Sequence, residues 1–399
     1  MITERFEIPG RLKTTGMVLL LIGILTLIVG GITLLGGDTV AQSRFWVALL
    51  LDSLYFLFLA VISVFILAAA GLAQGGWITA YRRIPEAIGA NTWVFGLIAL
   101  VVMFCCIFVA KTPIYEWVGG LHHSTATKDF LLNPTAFSIF SIIFIGGWAW
   151  FGVKFRNMSL KEDTAPRNTT KIYWKMVTLS GGFMVLFALS MMSIGPWMWI
   201  MSLEPHWFST LFSWYVFSSA FVSGMALILL FVVYVKNAGY LAFVNKEHMH
   251  DLGKFLFAFS IFWTYLWFAQ YLLIWYGNVP TETTYFKMRQ QGPYGFFFYA
   301  AIILNFVLPI LVLMTRPSKR NYFTIVFMAV LILFGHWVDF YVMIVPGVMK
   351  GNWSLSWFEI GLTLGFIGLM ITLVSRTLTK ANLIPVNNPF LKEAIVHIS

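Results

Sequence analysis

Cysteine is nearly missing from this sequence. Cys105 and Cys106 are the only two in 399 residues, adjacent and inside an apolar run. That excludes a C-x-x-C-H haem attachment and a four-cysteine iron–sulfur set, and leaves the pair as packing residues. Any electron carrier that works with this chain therefore sits on another polypeptide or is a mobile quinone. Charge is scarce too. Only 11% of residues are charged, against roughly 25% in a soluble domain. The net charge of +10 does not read as nucleic-acid binding, because the cations lie in short segments between apolar runs, where they set topology and meet anionic lipid. Histidine is limited to seven residues, and only His336 lies well inside an apolar run, so the two axial ligands of a b-type haem are not supplied. No cleavable leader is expected, since 1–16 is polar and basic and the first long run follows it.

What is abundant is apolar and aromatic: 59% of residues are hydrophobic, with 39 Phe and 17 Trp, and the mean hydropathy is +0.83. Many of the Trp stand near the ends of apolar runs, as in the aromatic belts of membrane proteins. Ten runs are long enough to cross about 30 Å of hydrocarbon: 14–36, 46–73, 92–110, 134–155, 172–194, 208–235, 254–276, 296–315, 321–345 and 356–378. The expected fold is an all-α polytopic membrane protein, one integral membrane domain over 1–399, because each spanning segment must satisfy its own backbone. A Trp-rich turn too polar to span is expected to join the fifth and sixth runs over 195–207. With the N-terminus inside, 20 of the 26 Lys and Arg fall in inner segments, so the positive-inside rule puts both termini in the cytoplasm.

The ninth run carries the chemistry. Gly335-His336-Trp337-Val338-Asp339-Phe340-Tyr341 sets two ionisable groups inside an apolar helix, where such groups are costly and mark a proton, ion or substrate route. His336 and Asp339, three apart, share one helix face; a buried pair that locks the helix to a neighbour is the alternative. At about 1.5 Å per residue Asp339 lies roughly 10 Å inside Pro346. Asp52 in the second run and Glu359 in the tenth fall at similar depth, so His336, Asp339, Asp52 and Glu359 form the proton-path candidates. No metal site is expected. His248 and His250, two apart, diverge on a helix, and His122 and His123 lie in an outer loop.

Two outer-face stretches look specialised. Over 193–210, two prolines, aromatics, Glu204, His206 and Trp207 suggest a short interfacial helix that docks a partner. Over 259–282, an aromatic helix with Gln270 inside it ends in a polar turn with Asn278 and Glu282, which could line a flat apolar ligand's pocket; aromatic packing with an interface belt is the plainer reading.

Three strings carry a family resemblance: WIMSLEPHWFST from Trp199 to Thr210, FWTY from Phe262 with QYLLIWYGNVPTE from Gln270 to Glu282, and GHWVD from Gly335 to Asp339 with Pro346. They resemble the NrfD/PsrC-like membrane subunits, and most closely the pair found in bacterial alternative complex III, a quinol:cytochrome c oxidoreductase. Length, ten spans and inside termini are similar to the second of that pair. The resemblance implies two four-helix bundles, spans 2–5 over 46–195 and spans 6–9 over 208–346, flanked by spans 1 and 10. It implies a homologous NrfD-like partner, a periplasmic iron–sulfur protein and multihaem cytochrome c subunits in the bacterial inner membrane. It further implies a quinone, menaquinone or ubiquinone, with haem and iron–sulfur clusters on the partners. Members commonly carry Asp just before the Trp of the W-x-M-S-L string; here the position is Met198. In that family the sister subunit is the better candidate for quinol oxidation, and the resemblance implies for this chain a quinone-site-like bundle, a proton half-channel or both, with scaffolding for the periplasmic redox subunits. The competing class is a stand-alone secondary transporter with an intramembrane His/Asp site, whose spans would be interrupted in both halves.

Overall fold

The computed structural model of the chain describes residues 4–119, 126–166, 169–352 and 355–397. Among these, ten helices are long and apolar enough to cross a membrane: α1 (Gly10–Leu35), α2 (Thr39–Leu72), α3 (Arg83–Phe108), α4 (Pro134–Thr164), α5 (Lys171–Leu203), α6 (Phe212–Asn237), α7 (Lys246–Gly277), α8 (Gly292–Leu313), α9 (Tyr322–Met349) and α10 (Trp357–Leu378). The two ends of the chain meet on one face, where Leu383 N donates to the Glu4 carbonyl at 2.9 Å.

Helix starts are written in side chains that accept from the first free N–H groups. Asp38 accepts from Ala41 N ahead of α2, Asn133 from Ala136 N ahead of α4, and Asn321 from Phe323 N and Thr324 N ahead of α9. Asn245 with His248, and Ser356 with Glu359, form reciprocal capping boxes at α7 and α10.

Several helices outrun their apolar cores. α7 begins at Lys246 rather than near 254, because its cap holds a polar first turn in place. Within α3 the long regular helix starts at Thr92, as expected, and a short helical segment, Arg83–Gly89, precedes it across a turn at 90–91; there the Arg83 guanidinium is buried but bonded to Glu86 (2.7 Å), Ser159 (2.7 Å) and Asp163. α5 corrects the expected turn over 195–207. The chain stays helical to Leu203, passing through a π-helical segment at Ser190–Ile194 just before Gly195-Pro196. The wider π ring (i→i+5) sets the preceding carbonyls differently, so a proline that would clash in a regular helix is accommodated.

Packing is organised around α2, which touches α3, α4, α5, α6, α9 and α10. α3 packs on α4, α4 on α5 and α5 back on α2; α6 packs on α7, α7 on α8, α8 on α9 and α9 back on α6. α1 stands outside both sets and lies mainly on α10. Its contact face is glycine: a Cβ on Gly23 would stand 2.2 Å from the Gly365 Cα, and one on Gly30 would stand 2.2 Å from the Phe358 ring. Without an interhelical hydrophobic drive in lipid, such close backbone approach is what holds two spans together.

Gly23→Leu is therefore expected to overpack this seam at a cost of about 1–3 kcal/mol, read as a lower thermal midpoint of the detergent-solubilised protein. Gly31→Leu, at a position with open space around it, is expected to leave the midpoint unchanged; equal effects from the two would refute a glycine-specific seam.

Candidate functional site

From Gly335 to Gly347, α9 is buried on all sides. His336 is 0% exposed and Asp339 1%, and both turn toward α6. The Asp339 carboxylate accepts three bonds. Tyr215 OH donates to Oδ1; Ser219 Oγ and Trp263 Nε1 each donate to Oδ2 at 2.8 Å. These donors replace the water the carboxylate lost on burial. Tyr215 and Ser219 are four apart on α6 and so share its face; Trp263 comes from α7.

Ser219 Oγ also lies 2.9 Å from His336 Nδ1. One hydroxyl proton cannot serve both partners. With that proton given to Asp339, His336 must donate from Nδ1, which leaves its Nε2 lone pair free. His336 Nδ1 and Asp339 Oδ2 are 3.9 Å apart, and the His336 ring stands edge-on to Trp263 at 5.5 Å.

Asp52 lies on the other side of α9. Trp337 Nε1 donates to its Oδ1 at 2.8 Å, and Thr363 Oγ1 of α10 sits 3.0 Å from both carboxylate oxygens. Glu359 is different again: it caps α10 and holds Arg44 in a two-pronged ion pair at 2.7 and 2.8 Å. The four acids and bases named from the sequence thus fall into three clusters, two of them on opposite faces of α9. His336 and Asp339 are brought together; Asp52 and Glu359 approach each other at Thr363, whose single hydroxyl lies 3.0 Å from the Asp52 carboxylate oxygens and 2.9 Å from the Glu359 carbonyl.

Residues that the sequence reading passed over complete the site. Tyr215 and Ser219 are two. Asn305 is a third, fully buried in a π-helical segment of α8 at Ile303–Val307. Its amide lies against Gly335, where a Cβ would stand 2.3 Å from Asn305 Oδ1. Among the described residues both amide atoms of Asn305, the Nε2 of His336 and the Oγ of Ser260 find no partner, on three helices that pack on one another. Leaving such groups unmade costs about 1–3 kcal/mol each. A lone Asn inside the eighth apolar run was the readable signal.

Just beyond α5, Glu204 and Trp207 face inward rather than forming an exposed surface; His206 alone of the three is exposed. Glu204 Oε1 takes Arg289 Nη2 at 2.5 Å. Arg289, 1% exposed on the short helix Pro280–Gln290, also donates to the Tyr285, Val342 and Met343 carbonyls at 3.0, 2.9 and 3.1 Å. The Tyr285 ring is sandwiched between the Arg289 guanidinium at 3.3 Å and the Trp207 ring at 3.8 Å. Burial pulls the Arg289 pKa down, but the Glu204 carboxylate and Tyr285 act more strongly together and hold it above its ordinary value. Burial pushes the Tyr285 phenol up, against the lowering effect of Arg289. Gln270 is buried in α7, Asn278 ends α7 in the left-handed region at φ 46°, and Glu282 is half-buried in the first turn of Pro280–Gln290. Only Asn278 of these three lines the cleft of about 490 Å³ between that helix and α7.

Among the described residues no three His, Cys, Asp or Glu side chains are grouped to hold a metal ion; His122 and His123 lie outside the described residues. His248 serves the α7 cap, its Nδ1 accepting from Asn245 N at 3.2 Å. No protein-family model matches the chain, and no curated protein matches it.

Removing Glu204 leaves the buried Arg289 charge without its counter-ion. Glu204→Ala is expected to cost about 3 kcal/mol, and Glu204→Gln, which keeps an acceptor, clearly less. Thermal unfolding of the two purified variants decides it; midpoints that match the parent protein would show that the pair is not structural.

Proposed function

We propose that this chain is a membrane subunit of a bacterial respiratory quinol:cytochrome c oxidoreductase of the alternative complex III type, built on the NrfD/PsrC-like plan. In this reading α2–α5 and α6–α9 are its two four-helix bundles, α1 and α10 flank them, and both termini face the cytoplasm of a bacterium's inner membrane. The closed neighbour orders of the two sets of four helices, the three sequence strings and the Lys/Arg asymmetry support it. A homologous membrane subunit, a periplasmic iron–sulfur protein and multihaem cytochromes c are the partners, and they carry the redox groups.

The single observation that carries the role is the Asp339 carboxylate, buried mid-helix beneath three donors and beside a histidine with a free ring nitrogen. A quinol ring does not fit there. Three donors already hold the carboxylate, and two of them, Tyr215 and Trp263, are bulky buried side chains that close it in. No redox step is therefore routed through this chain. Its own contribution is to hold and pass protons: Asp339 as the acceptor, Ser219 as the shared hydroxyl, and His336 as the group that exchanges a proton at Nε2.

The second reading, a secondary transporter, gains one observation, the π-helical interruptions in both halves, at Ser190–Ile194 and Ile303–Val307. Transporter sites of that design present free helix ends to the substrate, whereas α5 and α8 continue through both segments as wound helix.

Asp339→Asn, which keeps the shape and removes the titrating acid, is expected to lower quinol:cytochrome c reductase turnover by about tenfold or more in a complex that still assembles on a native gel. Undiminished turnover in the assembled variant would take Asp339 off the proton route.

A further inference from the structure

The exposed face of α7 carries a continuous stripe. Tyr265, Phe268, Leu272 and Tyr276 follow one another at spacings of four and three, and all are exposed, so they lie on one side of the helix. The stripe runs along the spanning segment to its end at Gly277. There it opens into the cleft of about 490 Å³ against the helix Pro280–Gln290, whose lining includes Tyr271, Trp275, Tyr276, Asn278, Lys287 and Gln290. That size falls within the range of about 300–1,000 Å³ typical of small-molecule sites.

The lining combines aromatic walls with donors. Gln290 Nε2 donates to Tyr271 OH at 3.2 Å, which fixes that ring and leaves the phenol proton to be given elsewhere. Asn278, at the exposed end of α7, adds an amide N–H pair, and Lys287 adds an ammonium. The other cations on this face are engaged: Arg44 with Glu359, Arg289 with Glu204, Lys350 with Glu116 and Lys128 with the Pro205 carbonyl. Of the described cations on this face, Lys111, Lys128 and Lys287 form no ion pair, and of these three Lys287 lines the cleft.

Three donors, one of them a full positive charge, at the point where an apolar stripe meets water, match a phosphodiester with acyl chains below it. They match a quinone ring less well, since it is neutral and gives the ammonium nothing to neutralise. We propose that this cleft binds the phosphate headgroup of an anionic phospholipid in the leaflet opposite both termini, with an acyl chain along the Tyr265–Tyr276 stripe. The site stands apart from the proton route and does not rest on it. Tyr271 meets Phe286 edge-on at 5.1 Å, so a bound headgroup braces the same short helix that carries Arg289 to the α9 carbonyls.

The test uses the full chain, extracted into nanodiscs holding equal amounts of phosphatidylglycerol and phosphatidylcholine and then examined by native mass spectrometry. Phosphatidylglycerol is expected to be retained preferentially. Lys287→Glu is expected to reduce that retention about fivefold or more, while Lys111→Glu leaves it unchanged. Lys287 is exposed, so the charge reversal leaves the packed core untouched, and an unaltered thermal midpoint checks this. Equal retention of the two lipids, unchanged retention in Lys287→Glu, or the same loss in Lys111→Glu would overturn the proposal. Displacement of the lipid by soluble glycerol phosphate would point to a free phosphate-ester site instead, and a co-purifying quinone lost in Lys287→Glu would point to a ring site; either would also overturn it.

Discussion

The Asp339 carboxylate governs the rest of the structure, because hydrocarbon offers it no water and only the protein can supply donors. Two of the three come from α6, one turn apart, and the third from α7. That requirement fixes the rotation of α9 about its own axis. With Asp339 turned to α6 and α7, Trp337 points to the opposite side and reaches Asp52 on α2. The same rotation lays Gly335 against α8, close enough that no side chain larger than hydrogen fits beside Asn305. One buried charge thus sets the register of a helix against four neighbours, and the apolar packing around it fills in behind.

The C-terminal end of α9 is fixed by a second buried charge with a different solution. Arg289 spreads its donors over Glu204 and three backbone carbonyls, two of which belong to α9 at Val342 and Met343. A guanidinium suits this task because its planar fork reaches several acceptors while its face stacks on Tyr285. The two constraints lie along one helix: the carboxylate anchors its middle and the guanidinium its C-terminal end. Between them α9 has little freedom to slide or rotate.

Ten helices long and apolar enough to span, and the shared buried face of His336 and Asp339, were legible in the sequence, because hydropathy over a long window is a one-dimensional property and an ionisable residue stands out against it. Three things were not. The helix start was set too late at α7, and the short segment Arg83–Gly89 ahead of the helix at Thr92 was not foreseen, since a charge that is paired across helices, as Arg83 is with Asp163, looks in one dimension like a break. The continuity of α5 through Pro196 was missed for a related reason: a π-helical segment leaves no mark in composition. The assignment of the outer acids was too coarse. Glu359, Asp52 and Asp339 share a depth band, yet depth does not say which face of which helix they occupy, and the structure divides them among separate partners. Glu204 and Trp207 looked like surface because they lie in a polar turn, but Arg289, 85 residues on, turns them inward.

The division of polar groups along α9 also bears on what the chain can carry. A site built to hold a ring needs a gap and unspent donors at fixed points; the surroundings of Asp339 have neither. A site built to pass protons needs groups that exchange hydrogen-bond roles, and Ser219 is placed to do so, giving its proton to Asp339 while taking one from His336. The unspent capacity begins one step further on, at His336 Nε2, Asn305 and Ser260. A carboxylate held by three donors thus stands next to an imidazole and an amide that still have hydrogen bonds to make.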